Sequence, residues 1–196
     1  VKEILKPEYV TAVTRSPSSY GGNPFIVEVA IAFGGEIPTS DSVHLLRFAN
    51  RIPLLYDEGA DVSSKIINSI DWSVYKVKFP TQLAIVVHVC STKLPFKGVG
   101  KEAIADIPEI EKEIEIAIRE SARRLRAHLS KVERMYEIRR REVTIRKYID
   151  EVARALAYIV RKDEKIIQDK LYLMLRRDIE KRKVGRKEVE IYASAK

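Results

Sequence analysis

Cysteine is almost absent from this sequence of 196 residues, which contains only Cys90. One thiol cannot form an internal disulfide, and such sparing use of cysteine is typical of a reducing cytoplasm. Long apolar runs are missing as well, since no stretch approaches the roughly 20 residues of a membrane-spanning helix, and no signal-peptide pattern opens the chain. We therefore expect a cytoplasmic protein without membrane contact, in which Cys90 is a buried structural residue of an apolar strand.

Motifs of a self-contained catalyst are also missing. The three histidines, His44, His88 and His128, are scattered, and neither HExxH nor CxxC occurs, so no metal-ligand spacing is visible. The Walker sequence GxxxxGK[ST], which cradles nucleotide phosphates, is absent too. These absences predict no metal ligands and no complete nucleotide site.

Basic side chains are present but unevenly distributed. The formal net charge is +8; residues 1–108 contain 11 basic and 11 acidic side chains, whereas residues 109–196 contain 25 and 17. This excess indicates a polyanionic or acidic protein partner, or a solvated helix with i,i+4 ion pairs. The length fits one domain with a core, or a domain plus an extension. Because the sequence opens on Val1 rather than Met, we expect a piece of a longer polypeptide.

Apolar and β-branched segments in the first half predict a sheet. Residues 23–35 read as a strand that a glycine pair ends, after a lead-in over residues 7–20. Residues 43–57 read as two short strands, or as one strand broken at Asn50. Pro53 favours an edge position or a bulge there, because proline cannot donate to a strand ladder.

Helical patterns follow. Residues 59–72 place their apolar side chains on one helical face, with Asp61 as the expected N-cap. The apolar run 82–91 reads as a central strand buried on both faces. A helix then opens around Pro108 and meets almost nothing that would stop it before Gly185; the last ten residues predict a short strand or a frayed end. Strands first and a long helix last predict an α+β fold, with a sheet backed by helices on one face.

The loop between the central strand and the long helix carries three lysines, Lys93, Lys97 and Lys101. Pro95 limits its conformational freedom. Long cationic side chains near a helix N-terminus favour an anion, and a phosphate is the obvious ligand. An ordinary solvated connection is the alternative.

Four segments of distinctive amino-acid sequence resemble one protein family. They are VHVCSTKLPFKGVGKEAIADIPEIEKEI from residue 87, RFANRIPLLYDEGADV from residue 47, SYGGNPFIVEVAIAFGGEI from residue 19 and PEYVTAVTR from residue 7. In this order they resemble the transducer domain of the B subunit of archaeal DNA topoisomerase VI, a type IIB enzyme, over roughly residues 7–130. The resemblance implies a four-stranded sheet backed by helices, the ribosomal-protein-like transducer fold, followed by a long helical stalk and tail.

The resemblance also implies an organisation and partners. Residues 1–136 would be the transducer domain with the start of the stalk helix, and residues 137–196 a basic helical region that contacts the A subunit. The whole enzyme would be an ATP-dependent type II topoisomerase that relaxes and decatenates duplex DNA, associated with the nucleoid. A second B subunit would join on ATP binding, in an A2B2 heterotetramer. ATP and Mg²⁺ would be held mainly by an N-terminal GHKL-type ATPase domain, whose motifs this sequence lacks, so the fragment alone should be inactive.

Two groups of site residues follow from the resemblance. Related ATPases carry a QTK loop whose lysine touches the terminal phosphate of ATP. The similar motif in this sequence is STK at residues 91–93, so the resemblance assigns that role to Lys93, with Lys97 as the second choice. The family also has a Trp-Lys-x-Tyr motif that touches DNA. The corresponding stretch here begins at Trp72 and Tyr75 without the internal lysine, and the cations that follow are Lys76 and Lys78. These four residues would contact DNA, or the aromatic pair would form a half-buried corner.

Two other functional classes compete with this interpretation. A ribosomal-protein-like module could grip nucleic acid through its basic helices without nucleotide coupling. A small kinase could use the glycine and lysine loop, but no carboxylate pair for Mg²⁺ stands near it.

Overall fold

The computed structural model describes residues 1–97, 100 and 102–194, with side chains up to residue 180. The strands are β1 Tyr9–Thr14, β2 Ser18–Tyr20, β3 Asn23–Phe33, β4 His44–Ala49, β5 Ile52–Leu54, β6 Leu83–Ser91, β7 Phe96–Lys97 and β8 Ala103–Ile104. The α-helices are α1 Lys2–Leu5, α2 Val62–Ser69, α3 Pro108–Val160 and α4 Glu164–Ser194, and short 3-10 helices cover Glu58–Ala60 and Trp72–Tyr75.

One mixed sheet organises the first part of the chain. Its strand order is β1-β3-β6-β4-β5, with β2 also paired to β3. β4 and β6 are parallel, and the other pairs of this sheet are antiparallel. The predicted α+β class is confirmed. The strands β3, β4, β5 and β6 lie where strands were predicted, and β1 and β2 extend the sheet.

The hydrophobic core lies on one face of this sheet, between the strands, α2 and the first turns of α3. Alternate strand residues point into it because successive side chains of a strand face opposite ways. The fully buried members include Val27, Val29 and Ile31 of β3, Ile85, Val87 and Val89 of β6, Val62 of α2, and Ile110, Ile114, Ile118 and Leu125 of α3. Burying such a side chain contributes about 1.5–3 kcal/mol, so these contacts fix the start of α3 against the sheet.

The opposite face of the sheet corrects one expectation. β6 is not buried on both faces: Cys90 is exposed, and His88 beside it is half-buried. On this face a small separate cluster of Ala32, Ile37 and Ala84 is buried, and Leu5 of α1 packs against it. The prediction of a buried structural cysteine was therefore wrong, because the helices that pack on the sheet cover the other face.

The segment between β4 and α2 follows the sequence signals closely. A two-residue turn, Asn50 and Arg51 with φ of 49° and 70°, joins β4 to β5, so two strands form rather than one. Pro53 lies on β5, the edge strand, as predicted. Asp61 caps α2 by accepting a hydrogen bond from the Ser63 N–H at 2.8 Å.

One expectation about a short segment was incomplete. Residues 7–20 are more than a lead-in, since β1 and β2 both lie there. Between α2 and β6, the chain forms the 3-10 helix Trp72–Tyr75.

The chain divides into two compact units, Val1–Ser130 and Lys131–Lys196. In the second unit, a turn at Arg161 separates the end of α3 from α4, and Asp163 caps α4 through the N–H of Lys165 at 2.8 Å. Gln168 on α4 donates to Asp150 on α3 at 2.5 Å. The helix continues to residue 194, where a short strand or frayed end was expected; residues 195 and 196 lie outside the described residues. In the described part of the chain, no helix combines the length and apolarity that crossing a membrane demands.

Candidate functional site: a lysine loop after the central strand

The candidate site is the connection from β6 to α3, which contains a short antiparallel hairpin of β7 and β8. Lys93 lies where the connection leaves β6, and its backbone N–H donates to the Ser91 hydroxyl at 3.2 Å. Its side chain is exposed. Within the described ranges, the Lys93 ammonium makes no hydrogen bond or ion pair, so it is available to an external anion.

The β4–β5 turn holds the start of the loop. The Asn50 side chain accepts from the Ser91 N–H at 2.9 Å and donates to the Ser91 carbonyl at 3.0 Å. The Ser91 hydroxyl in turn donates to the Pro24 carbonyl at 2.8 Å. The end of the central strand is thereby fixed two residues before Lys93.

Lys97 is bound within the protein, unlike Lys93. Its ammonium donates to the Ala60 carbonyl at 2.8 Å and to Asp106 Oδ2 at 2.6 Å. The same carboxylate oxygen lies 2.5 Å from the ammonium of Lys65. Hydrogen bonds from Lys65 and then Lys97 hold the pKa of Asp106 below its usual value. Of the predicted phosphate ligands, Lys97 is thus engaged, whereas the Lys93 ammonium has no partner among the described residues; Lys101 lies outside them.

A buried ion pair supports the base of the hairpin. Arg47 and Asp61 are both buried, with Nη1 and Oδ2 3.4 Å apart. Arg47 also donates to the Glu102 carbonyl at 3.3 Å and to the Tyr56 carbonyl at 2.7 Å. Asp61 Oδ2 accepts from the Ile104 N–H at 2.8 Å. These contacts anchor β8 to the N-terminus of α2.

A groove of about 460 Å³ lies on the other side of the hairpin. Its walls come from the β4–β5 hairpin, the residues after β5, and Phe96, Gly100 and Glu102. The lining is mostly apolar, and the charged side chain among its described residues is the carboxylate of Glu102. Among the described lining residues, this carboxylate disfavours an anion in the apolar groove.

Among its described residues, the site offers a phosphate the exposed ammonium of Lys93, next to a strand end that side-chain hydrogen bonds hold in place. It does not supply a nucleotide pocket, and no group of three or more His, Cys, Asp or Glu side chains in the described part of the chain could hold a metal ion. The residues present therefore fit a contact to a terminal phosphate that is held elsewhere. They do not fit a Mg²⁺ site.

The second predicted site is the DNA contact of Trp72, Tyr75, Lys76 and Lys78, and its aromatic side chains are too buried to stack on DNA bases. Trp72 and Tyr75 are each 7% exposed, and the indole N–H of Trp72 donates to the Ile67 carbonyl at 3.2 Å. This arrangement is the aromatic corner that was the alternative. Lys76 and Lys78 are exposed, so of the four predicted residues these two are the ones that a DNA backbone could reach.

Sequence reasoning missed the residues that support the loop. Asn50 was read only as a strand break, Asp61 only as a helix cap, and Asp106 not at all. The one available signal for these supporting residues was the segment that begins at Arg47 and resembles the family, and this segment indicated no chemistry by itself.

Comparisons with known proteins agree on one family. The profile described as "Topoisomerase VI B subunit, transducer" matches residues 1–141. The B subunit of type 2 DNA topoisomerase 6 from Pyrobaculum aerophilum is 50% identical over 178 residues, which cover 91% of this chain and 34% of that protein. The protein of the same name from Metallosphaera sedula is 46% identical over 172 residues, which cover 87% and 32%. The chain thus spans about a third of the length of these relatives.

Similarity to solved structures is much weaker. The B subunit of the DNA gyrase from Myxococcus xanthus matches 58% of this chain and 34% of that chain, with 19% identity and a TM-score of 0.35. A superposition this loose supports no argument about fold or function.

Proposed function

This chain belongs to the transducer family of topoisomerase VI B subunits, and we propose that it is the transducer part of an ATP-binding B subunit of a type IIB DNA topoisomerase. In this role it senses ATP held by another domain and passes the change on to the DNA-cleaving A subunit. The whole assembly, two A and two B subunits on the DNA of the nucleoid, would relax and decatenate duplex DNA.

The observation that carries this proposal is the contrast between two lysines of one loop. The Lys97 ammonium donates hydrogen bonds to Asp106 and to the Ala60 carbonyl. Lys93, in contrast, is exposed, and its ammonium has no partner in the described part of the chain. Side chains that bind only within their own domain cannot report on another one. Lys93 is therefore the cation that would reach a nucleotide in a neighbouring domain.

The chemistry of this contact is electrostatic. A lysine ammonium is a compact point charge that pairs with the terminal phosphate in a site from which water is excluded. A hydrogen bond to a charged group contributes about 1.5–3 kcal/mol, which shifts a two-state equilibrium by about 10–150-fold. When the terminal phosphate is hydrolysed and leaves, this anchor is lost, so the loop conformation depends on the nucleotide state.

Other parts of the longer protein would supply the rest of the nucleotide site. Among the described residues, Lys93 is the one that we assign to the phosphate contact, and both ATP and Mg²⁺ would be held by the N-terminal ATPase domain. When bound, Mg²⁺ neutralises the phosphate charge that develops in hydrolysis. A second B subunit would join when ATP binds.

The second unit would make the contact with the A subunit. Its described helices expose large apolar side chains, among them Tyr136, Tyr148, Tyr158 and Ile159, which are 59–88% exposed. Apolar surface of this kind on charged helices marks an interaction surface. We therefore assign the contact to this unit, within the predicted region 137–196.

Lys93→Ala in the full-length protein, assayed with its A subunit, tests the proposal. DNA-stimulated ATP hydrolysis should fall at least about tenfold, which corresponds to about 1.4 kcal/mol of lost transition-state stabilisation. Lys112→Ala is the matched control, because Lys112 is an equally exposed lysine on α3. Unchanged ATP hydrolysis in Lys93→Ala would show that the lysine does not sense nucleotide.

A second candidate function is a nucleic-acid-binding module without nucleotide coupling. The charge excess of residues 109–196, with 25 basic against 17 acidic side chains, favours it. The same experiment separates the two functions, because a simple binding module would keep its DNA affinity and show no ATP-linked loss in the Lys93 variant.

A further inference from the structure

Three elements of the first unit meet at the carboxylate of Asp106. Asp106 lies in the connection between β8 and α3, two residues before Pro108. One of its oxygens, Oδ2, accepts from Lys65 on α2 at 2.5 Å and from Lys97 on β7 at 2.6 Å. A single oxygen therefore joins the lysine loop, α2 and the start of α3.

The exposure of this junction argues against a stabilising role. The side chains of Lys65, Lys97 and Asp106 are 50%, 33% and 37% exposed. Ion pairs in such positions stabilise a fold very little, since water competes for both charges. The buried pair of Arg47 and Asp61 already fixes β8 in place. A second link that adds little stability can break and form again at low cost.

The charge of the junction is secured at neutral pH. Both lysines lower the pKa of Asp106, and Asp106 in turn raises the pKa of Lys65. The acceptor is therefore a carboxylate under working conditions and holds both ammonium groups at once.

We propose that Asp106 is the positioning residue through which the lysine loop acts on helix α3. A loop that moves towards a phosphate carries β7, so the pair between Lys97 and Asp106 breaks, and Asp106 keeps Lys65 as its partner. Because Ile110 and Ile114 are fully buried in the first turns of α3, the change at Asp106 acts where the packed helix begins. This role rests on the proposed function of Lys93 and deepens it, because it names the residue that receives the signal.

Asp106→Asn in the full-length protein with its A subunit tests this role, since the change removes the charge and keeps the size. ATP hydrolysis should stay within about twofold, whereas the number of DNA crossings removed for each ATP hydrolysed should fall about fivefold or more, the range of a lost coupling. Asp106→Glu restores the carboxylate and should recover most of this ratio. Glu115→Gln is the matched control, because Glu115 pairs with Arg119 inside one helix at 2.7 Å and should leave the ratio unchanged.

Each outcome decides the matter. An unchanged ratio in Asp106→Asn would overturn the inference. An equal loss of ATP hydrolysis and strand passage, together with a lower unfolding temperature, would also overturn it, since that is what a purely structural role gives. Lys93→Ala separates the two levels: if it abolishes nucleotide response while Asp106→Asn keeps its ratio, only the role of Asp106 is wrong.

Discussion

Removal of the Asp61 carboxylate should destabilise the chain more than any change at its surface. Asp61 is completely buried, its two oxygens accept from the Ser63 N–H and from the Ile104 N–H, and Oδ2 forms an ion pair with the Arg47 guanidinium. Asp61→Ala leaves both N–H groups without this acceptor. Arg47 keeps its two carbonyl partners but becomes a buried charge without a counterion.

The expected cost follows from the individual losses. A lost N-cap costs about 0.5–2 kcal/mol, and a buried N–H left without a partner costs about 1–3 kcal/mol. Breaking a buried ion pair from one side costs about 3–5 kcal/mol in total, and the three contributions overlap. We therefore expect the free energy of unfolding to fall by about 4 kcal/mol. For a chain of this size, this loss corresponds to about 8–16 °C in the unfolding temperature.

The single tryptophan provides the assay. Trp72 is 7% exposed, and its indole N–H donates to the Ile67 carbonyl of α2, the helix that Asp61 caps. Its fluorescence in a urea titration therefore reports the unfolding of the affected region. Glu36→Ala is the control, because Glu36 pairs with Lys6 at the surface with both side chains more than 60% exposed, and such pairs contribute at most about 1 kcal/mol.

A double-mutant cycle checks the cause. Arg47→Leu combined with Asp61→Ala removes both charges, so the pair should cost about 1–3 kcal/mol less than the sum of the single changes. A loss below about 1 kcal/mol in Asp61→Ala would refute the reasoning, because a buried carboxylate with two backbone donors and an ion pair cannot be removed so cheaply. Strict additivity would show that Arg47 and Asp61 do not interact.

Two further predictions concern Glu28, which pairs with His88 on the sheet, and the exposed lysines Lys76 and Lys78. The hydrogen bond from His88 is the main reason that the pKa of Glu28 lies below its ordinary value of 4.5. The ionised Glu28 side chain therefore stabilises the fold above about pH 4.5. This contribution to the unfolding free energy is lost as the pH falls through the lowered pKa of the folded state. Glu28→Gln should accordingly flatten the acid side of a plot of unfolding free energy against pH, and an unaltered profile would contradict this. Changing Lys76 and Lys78 to Ala together in the full-length protein should weaken DNA binding and reduce the slope of log affinity against log salt by about 1–2, since each phosphate contact contributes about 0.9. An unchanged slope would remove both lysines from the DNA contact.

Local signals explain why much of the fold was predictable from the sequence. The helix from Val62 to Ser69 has its apolar residues on one face and its cap one residue earlier, so all the information lies within nine positions. The β4–β5 hairpin is similar, because Pro53 and Asn50 mark an edge and a turn by their own backbone preferences.

The errors arose where distant parts of the chain decide the outcome. Small and apolar residues on the outer side of β6, such as Ala84 and Val86, made that strand read as buried on both faces, although α2 and α3 pack on the opposite face and this one has the short helix α1 near Ala84. β1 pairs with β3 rather than with a sequence neighbour that would have marked it as a hairpin strand. The local sequence pattern does not indicate which face of the sheet is covered. It also does not indicate that β1 pairs with β3.

The candidate site shows the same division. The role of Lys93 was predicted from its motif alone. The residues that hold its loop act across 41 positions from Asn50 to Ser91 and 43 positions from Asp61 to Ile104. Only the folded sheet brings such pairs together, so no spacing in the sequence could have indicated them.

Pro53 has a consequence for how copies of this protein meet in solution. A two-residue turn makes Ala49 and Ile52 the closing hydrogen-bonded pair, so position 53 directs its backbone nitrogen outward. That nitrogen is a proline nitrogen and carries no hydrogen, so a foreign strand laid along β5 would lack a donor at the middle of three residues. The rim of the sheet is in this way a poor template for fibrous self-association, even though it displays Ile52 and Leu55 to water.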